Sequence, residues 1–336
     1  VEPEAQAPGD AVEGMVGLRP FAPPLPVYPQ FLDMPLLTGA EVPHAPHLAI
    51  AAEPWPGSVA VYSSATGDAG YELNTLIGQG AVIGVTETVL PAAIPGLIDR
   101  GEPLRVRIGS GTLASATEAA LLAGANLAAI GEGSAANWEL FQFREAALVG
   151  PGVYELSVRL RGQLGTDGLM PQEWPAGSSF VLVNGALEQI DLPVSARGLV
   201  RSYRIGPGQR TNDDPSFVQL VEAFDGAGLR PYAPAHLRAT RLANGDLAVS
   251  WIRRTRIDGD NWASVEVPLG EEGELYAIRV VQSGSVLREA SATTPAFTYT
   301  AAAQAADAAA PGYTIEVAQV SQTFGPGPYT RIIIDA

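Results

Sequence analysis

Glycine and proline interrupt this sequence too often for long helices: 37 Gly and 28 Pro fall among its 336 residues. Each proline fixes φ and removes a donor, and each glycine weakens a helix interior. Between them lie short runs of alternating apolar and polar residues, the period of half-buried strands. The fold class that follows is all-β, with many turns and short strands. The length exceeds one average domain, so two folded units are expected.

Residues 1–47 are dense in proline and carry six acids against one arginine. Phe21-Ala22-Pro23-Pro24-Leu25-Pro26-Val27-Tyr28-Pro29 cannot be helical and reads as an extended strap or linker. Its apolar residues, among them Tyr28, Phe31, Leu32, Met34 and Leu37, are too many for a free linker, so the strap is expected to pack on another domain or chain. From residue 48 to 227 a β-rich domain is expected. In Leu104-Arg105-Val106-Arg107-Ile108 the arginines face water and the aliphatics the core. Trp138–Arg144 is an aromatic-rich strand. Tyr154, Leu156, Val158 and Leu160 alternate with Glu155, Ser157, Arg159 and Arg161, which should be solvent-facing. Asn184-Gly185 between Phe180–Val183 and Ala186–Leu192 predicts a type I′ hairpin. A short helix or a loop is expected within Ala114–Leu127, with Thr117 or Ser115 as its cap.

Residues 228–336 read as a separate seven-stranded sandwich, with strands at His236–Thr240, Leu247–Ile252, Leu275–Val281, Ser285–Glu289, Phe297–Thr300, Tyr313–Val320 and Thr330–Ile334. Asn244-Gly245 makes its first hairpin turn. Charge divides unevenly: 25 acids and 11 arginines up to residue 227 give -14, and 11 acids and nine arginines after it give -2, the sum being the net -16. All basic residues are arginine. So acidic a chain does not wrap a phosphate backbone, which argues against a nucleic-acid partner. The absence of cysteine removes disulfides, thiolate zinc sites and cysteine nucleophiles. No run reaches the length of a membrane helix, and no signal peptide is evident at the acidic start. Val1 reads as an internal cut in a longer protein.

The motifs that carry chemistry are few. His44-Ala45-Pro46-His47 has the wrong spacing for a helical metal pair and is expected to be a solvated loop. Asp258-Gly259-Asp260-Asn261 begins like a calcium loop, but Leu269 stands where the bidentate glutamate is needed, so Asp258 and Asp260 are only weak metal candidates. Gly78-Gln79-Gly80-Ala81-Val82-Ile83-Gly84 is one residue too long for a dinucleotide fingerprint. Asp213-Asp214 and Glu271-Glu272 are expected in solvated turns. The cluster Arg253, Arg254, Arg256 offers an anion site, against the plainer expectation that it pairs with Asp258, Asp260 and Glu266. Trp55, Trp174 and Trp262 are the aromatics that would stack on a sugar ring if exposed. The binding candidates are therefore Trp174, Trp262, Arg253, Arg254 and Arg256, with no catalytic residue and no cofactor expected.

Two resemblances add to this. Pro234-Ala235-His236-Leu237-Arg238-Ala239, Asn244–Trp251, Tyr276–Val280 and Phe297–Thr300 resemble a fibronectin type III domain, with Trp251 as the core tryptophan of its second strand. Asp33–Leu37, Pro54–Gly57, Trp138–Phe143, Leu160–Asp167, Gly228–Leu237 and Trp251–Asp260, in that order, resemble the C-terminal region of the multidomain baseplate protein of gene transfer agents and siphophages. That resemblance implies placement in the virion at a phage-like tail tip, threefold (homotrimeric) assembly around the tail axis with other baseplate proteins, and host-surface attachment. It also implies a glycoside-hydrolase-like domain upstream, outside this chain, so no enzymatic activity is expected here. The alternative is a carbohydrate-binding accessory region of a polysaccharide-degrading protein, contacting host surface polysaccharide.

Overall fold

A computed structural model describes residues 25–259 and 267–335. From Tyr28 to Ile77 the chain makes strands β1 (Tyr28–Leu32), β2 (His47–Ala51), β3 (Val59–Ser64) and β4 (Glu72–Ile77). Next come β5 (Ile83–Thr86), β6 (Leu90–Pro91), β7 (Ile98–Asp99), β8 (Leu104–Ile108), helix α1 (Glu118–Leu122) and β9 (Leu127–Gly131). The long hairpin β10 (Glu139–Gly150) and β11 (Val153–Gln163) leads to β12 (Glu173–Trp174) and β13 (Ser179–Leu182). The first unit ends with β14 (Glu188–Gln189), β15 (Arg201–Pro207) and β16 (Val218–Glu222). The all-β expectation holds.

The order β10-β9-β13-β5-β8-β11, with β11 pairing back onto β10, closes a six-stranded antiparallel barrel. Period-2 alternation explains it. Leu104, Val106, Ile108, Ile130, Phe141, Phe143, Tyr154, Leu156 and Phe180 fill the interior, while Ala129, Leu140 and Val181, one residue out of phase, point outward. Those outward residues meet Leu32 and Ala49 of the sheet β1-β2-β14, and Met34 just beyond β1. The opposite face of that sheet, with Phe31, Leu48 and Ile50, packs on Val59, Val61, Tyr203 and Ile205 of the sheet β16-β15-β3-β4. So β1-β2-β14 is a middle layer, apolar on both faces. The apolar residues read as a strap, Val27, Phe31, Leu32 and Met34, are core residues of this first unit; Phe21–Pro24 lie outside the described residues.

Two local expectations are corrected, and a third is borne out. Asn184-Gly185 joins no hairpin, because both edges of β13 are already occupied by β5 and β9 while β14 pairs with β2. Arg159 and Arg161 do not face water: both are buried, and Leu160 is half-buried. The phase of β11 shifts after Val158, whose φ is 58°, and a register irregularity opposite Leu140–Gln142 includes Gly162, with φ 62°. The short helix expected within Ala114–Leu127 forms, as one turn over Glu118–Leu122; Thr117 caps it by accepting from the Ala120 N–H at 3.1 Å, and Gly124 follows it with φ 96°.

The second unit comprises β17 (Ala235–Arg241), β18 (Leu247–Ile252), β19 (Tyr276–Gln282), β20 (Ser285–Ala292), β21 (Ala296–Tyr299), α2 (Ala301–Ala306), β22 (Tyr313–Ser321), β23 (Gly325–Pro326) and β24 (Thr330–Ile334). Sheet β17-β18-β21 faces sheet β20-β19-β22, to which β23 and β24 add on the far edge of β22. With β23 and β24 sharing one edge position along β22, three strands face four positions, the fibronectin type III-like sandwich. Trp251 sits in its core on the second strand, edge-on to Tyr276 at 5.0 Å. Asn244-Gly245 does turn a hairpin here, with the Gly245 N–H donating to Leu242 O and φ +86 at Gly245 alone. It is therefore a type I turn with a glycine bulge rather than type I′.

Candidate functional site

Where β10 begins and β11 ends, the barrel holds a sealed ionic cluster. The irregularity at Arg161-Gly162 aims the Arg161 guanidinium at Glu139, Nε to Oε1 at 2.7 Å and Nη2 to Oε2 at 2.8 Å, with both side chains at 0% exposure. Glu139 also accepts from Trp174 Nε1 at 2.6 Å and from the Gly162 N–H at 3.3 Å. Arg161 Nη1 donates to Pro91 O at 2.6 Å. Beside it, Arg159 donates to Asp99 at 2.9 Å and to the carbonyls of Leu156 and Glu102. Burial pushes the Asp99 carboxyl up, but the Arg159 and Gly101 donors outweigh it and hold the group below its ordinary value. Every face of the Glu139 carboxylate is occupied by a protein donor, so the cluster orders the barrel end and leaves no opening for a substrate.

From this end the chain runs through Gly162, Gly165 and Gly168 into the seam with the sandwich. An added Cβ would lie 2.2 Å from the Tyr232 ring at Gly165 (φ 77°) and 2.5 Å from Pro328 at Gly168. Only glycine permits this approach. Asp167, between them, receives Arg254 Nη1 on both oxygens, at 3.0 and 2.8 Å, and the guanidinium lies 5.3 Å from the Tyr232 ring centre. Arg254 is fixed by Gln319, which accepts from its N–H at 2.7 Å and donates to its carbonyl at 2.8 Å. Arg256 donates to Glu271 at 3.0 Å, to Gly270 O and, across the seam, to Gly228 O. Burial pushes the Glu271 carboxyl up, against the pull of Arg256. Arg197 Nη2 reaches Thr323 O at 2.6 Å, and Thr330 Oγ1 donates to Pro234 O at 2.6 Å. Glu272 accepts the Gln322 and Thr323 N–H groups and the Thr323 hydroxyl, whose bond holds its pKa at about 2. Beside the seam the described residues leave a groove of about 1000 Å3, with Leu37, Gln163, Tyr232 and Arg254 among its walls.

The site residues read from the sequence are thus dispersed. Trp174 is buried, 6% exposed, and committed to Glu139, so it is no stacking surface. Trp262 and Asp260 lie outside the described residues, and Asp258 is exposed; among the described residues no three carboxylates or histidines group to hold a metal ion. Arg254 pairs across the seam with Asp167, and Arg256 with Glu271; Asp260 and Glu266, two of the partners expected from the sequence, lie outside the described residues. Arg253 turns to the carbonyls of Val267 and Pro268. His47 is not solvated: it begins β2 at 6% exposure, and burial pushes its pKa down. The Glu271 side chain is only 8% exposed, while Glu272 and the Asp213-Asp214 pair keep the solvated-turn reading. Sequence reasoning missed Glu139, Asp167 and Tyr232. Their one sequence signal is the threefold spacing of Gly162, Gly165 and Gly168, which marks a close backbone approach.

Comparison with known proteins yields few matches in sequence; no curated protein matches the chain. Among solved structures, a two-domain fibronectin type III segment of chicken tenascin overlaps 75% of this chain and 99% of its own, at 8% identity and TM-score 0.22. The FN1–FN3 domains of chicken CNTN1 overlap 94% of this chain and 100% of their own, at 10% identity and TM-score 0.22. A glycoside hydrolase domain of Endo-D from Streptococcus pneumoniae R6 overlaps 82% of this chain but 37% of its own, at 10% identity and TM-score 0.21. The fibronectin type III-like arrangement of the second unit rests on its strand pairing rather than on these overlaps. Residues 81–181 match the family model described as Rcc01698-like, C-terminal, and that stretch is the barrel, from just ahead of β5 to β13.

Proposed function

We propose that this chain is a structural component of a phage-like tail tip or baseplate, where it contributes to assembly and to attachment at a host surface. The observation that carries this reading is the seam. The barrel and the terminal sandwich are joined by Arg254–Asp167, Arg256–Gly228 and glycine-level contacts, a construction suited to bearing load rather than to swinging. The proposed location rests on the resemblance of rare sequence runs, in order, to gene transfer agent baseplate proteins. In this reading the barrel and middle layer face neighbouring baseplate subunits, in threefold arrangement, and the sandwich projects outward. The carbohydrate-accessory reading loses Trp174, which is spent on Glu139.

The test is localisation on purified particles. Antibodies against residues 228–336 should label the distal tail end in electron micrographs, and the protein should co-purify with tail components as a trimer. Label on the head, or a protein absent from the particles, overturns the proposal.

A further inference from the structure

The two Asn-Gly pairs share one chemistry but sit in different surroundings. We propose that Asn184 is a site of spontaneous succinimide-mediated deamidation in the folded protein, and that Asn244 is protected from it. In this reaction the Gly185 backbone nitrogen attacks Asn184 Cγ. A nitrogen–Cγ bond forms, the Cγ–Nδ2 bond breaks, and ammonia leaves with the proton given up by the attacking amide. Water then adds to either carbonyl of the five-membered imide and opens it to an aspartyl or isoaspartyl linkage. Solvent supplies the water, and nothing is oxidised or reduced.

At Asn184 the requirements are met. The side chain is exposed, and an added Cβ at Gly185 would meet nothing within 4 Å. The Gly185 N–H donates no hydrogen bond among the described residues. The Ala186 N–H donates to Asn184 Oδ1 at 3.0 Å, polarising the carbonyl under attack and standing ready for the oxygen charge that develops. At Asn244 the carbonyl is similarly engaged, Oδ1 accepting from the Asp246 N–H at 3.1 Å. The nucleophile differs: the Gly245 N–H is tied to Leu242 O at 3.0 Å. The leaving amide is tied too, Nδ2 donating to Asp246 Oδ2 at 2.8 Å. The hairpin is further pinned because Asp246 Oδ1 accepts the Ala301 N–H at the start of α2. Releasing a single such hydrogen bond before attack slows conversion roughly fivefold.

The position matters to the fold. Ala186 and Leu187, directly after the turn, are buried between the barrel and the middle layer. An isoaspartyl linkage lengthens the backbone there and disturbs the β14–β2 pairing.

The experiment incubates the full chain, folded and in parallel in concentrated urea, in warm, mildly alkaline buffer. Conversion at each Asn-Gly peptide is followed by digestion and mass spectrometry. The expected result is conversion at Asn184 roughly fivefold or more faster than at Asn244 when folded, with the ratio falling towards one in urea. Equal or reversed rates in the folded protein overturn the proposal. So does an unchanged ratio in urea, since flanking sequence rather than the fold would then explain it.

Discussion

Replacing Glu139 by glutamine should be among the most damaging conservative changes in the barrel. The carboxylate receives Arg161 Nε and Nη2 at 2.7 and 2.8 Å, Trp174 Nε1 at 2.6 Å and the Gly162 N–H at 3.3 Å, with no exposed surface on either charged partner. Glutamine keeps one acceptor oxygen and turns an NH2 group towards a donor, and the guanidinium loses its counter-charge in a sealed site. Breaking a buried pair from one side costs about 3–5 kcal/mol. With an m-value of ~4 kcal/mol/M in guanidinium chloride, the midpoint of barrel unfolding should fall by ~1 M. Equilibrium unfolding followed by tryptophan fluorescence reads this, since Trp174 and Trp138 lie in the barrel and on its flank. The double variant Glu139→Leu with Arg161→Met should recover a large part of the loss, because the stranded charge is gone. Trp174 Nε1, the Gly162 N–H and Pro91 O lose these partners, at about 1 kcal/mol each. A single-variant cost below ~1 kcal/mol, or a double variant whose loss is the sum of the singles, would refute the reasoning.

Arg254→Ala should open the seam without unfolding either unit. Its contact with Asp167 is partly exposed, so the loss is about 1–2 kcal/mol, seen in calorimetry as one transition separating into two and in proteolysis as new cleavage between residues 228 and 236. Gly165→Ala should cost about 2–3 kcal/mol, because a Cβ at φ 77° meets the Tyr232 ring; a melting point within error of the parent would contradict the close approach. His47 gives a pH signature. Burial pushes its folded pKa below the ordinary histidine value, so the folded state binds fewer protons. The associated stability is present above about 6.5 and declines as pH falls through that value towards the lower folded pKa. Denaturation at neutral and mildly acidic pH should show the decline, and His47→Gln should flatten it.

Legibility in the sequence followed range. The sandwich strands were readable because alternation, the Asn244-Gly245 turn and Trp251 act over a few residues. The arginines of β8 faced water as the pattern required. The same pattern misled at Arg159 and Arg161, where a left-handed φ at Val158 shifted the phase and burial was made tolerable by Asp99 and Glu139, 60 and 22 residues away. The strap-like segment was legible in part: its prolines called for an extended backbone and its apolar residues for packing, as found, yet the pairing of β1 with β2 and the apolar faces on both sides decided where it lies.

The sequence by itself determined the all-β class, the strand content of the terminal sandwich and its turn chemistry, since each rests on backbone preference and on period-2 burial. Tertiary structure alone decided that β10 and β11 close a barrel, that Asn184-Gly185 makes no hairpin, and that Arg254 meets Asp167, 87 residues away. Those outcomes depend on which strand edges remain free and which charges share a desolvated site. Such quantities exist only once distant segments are packed together.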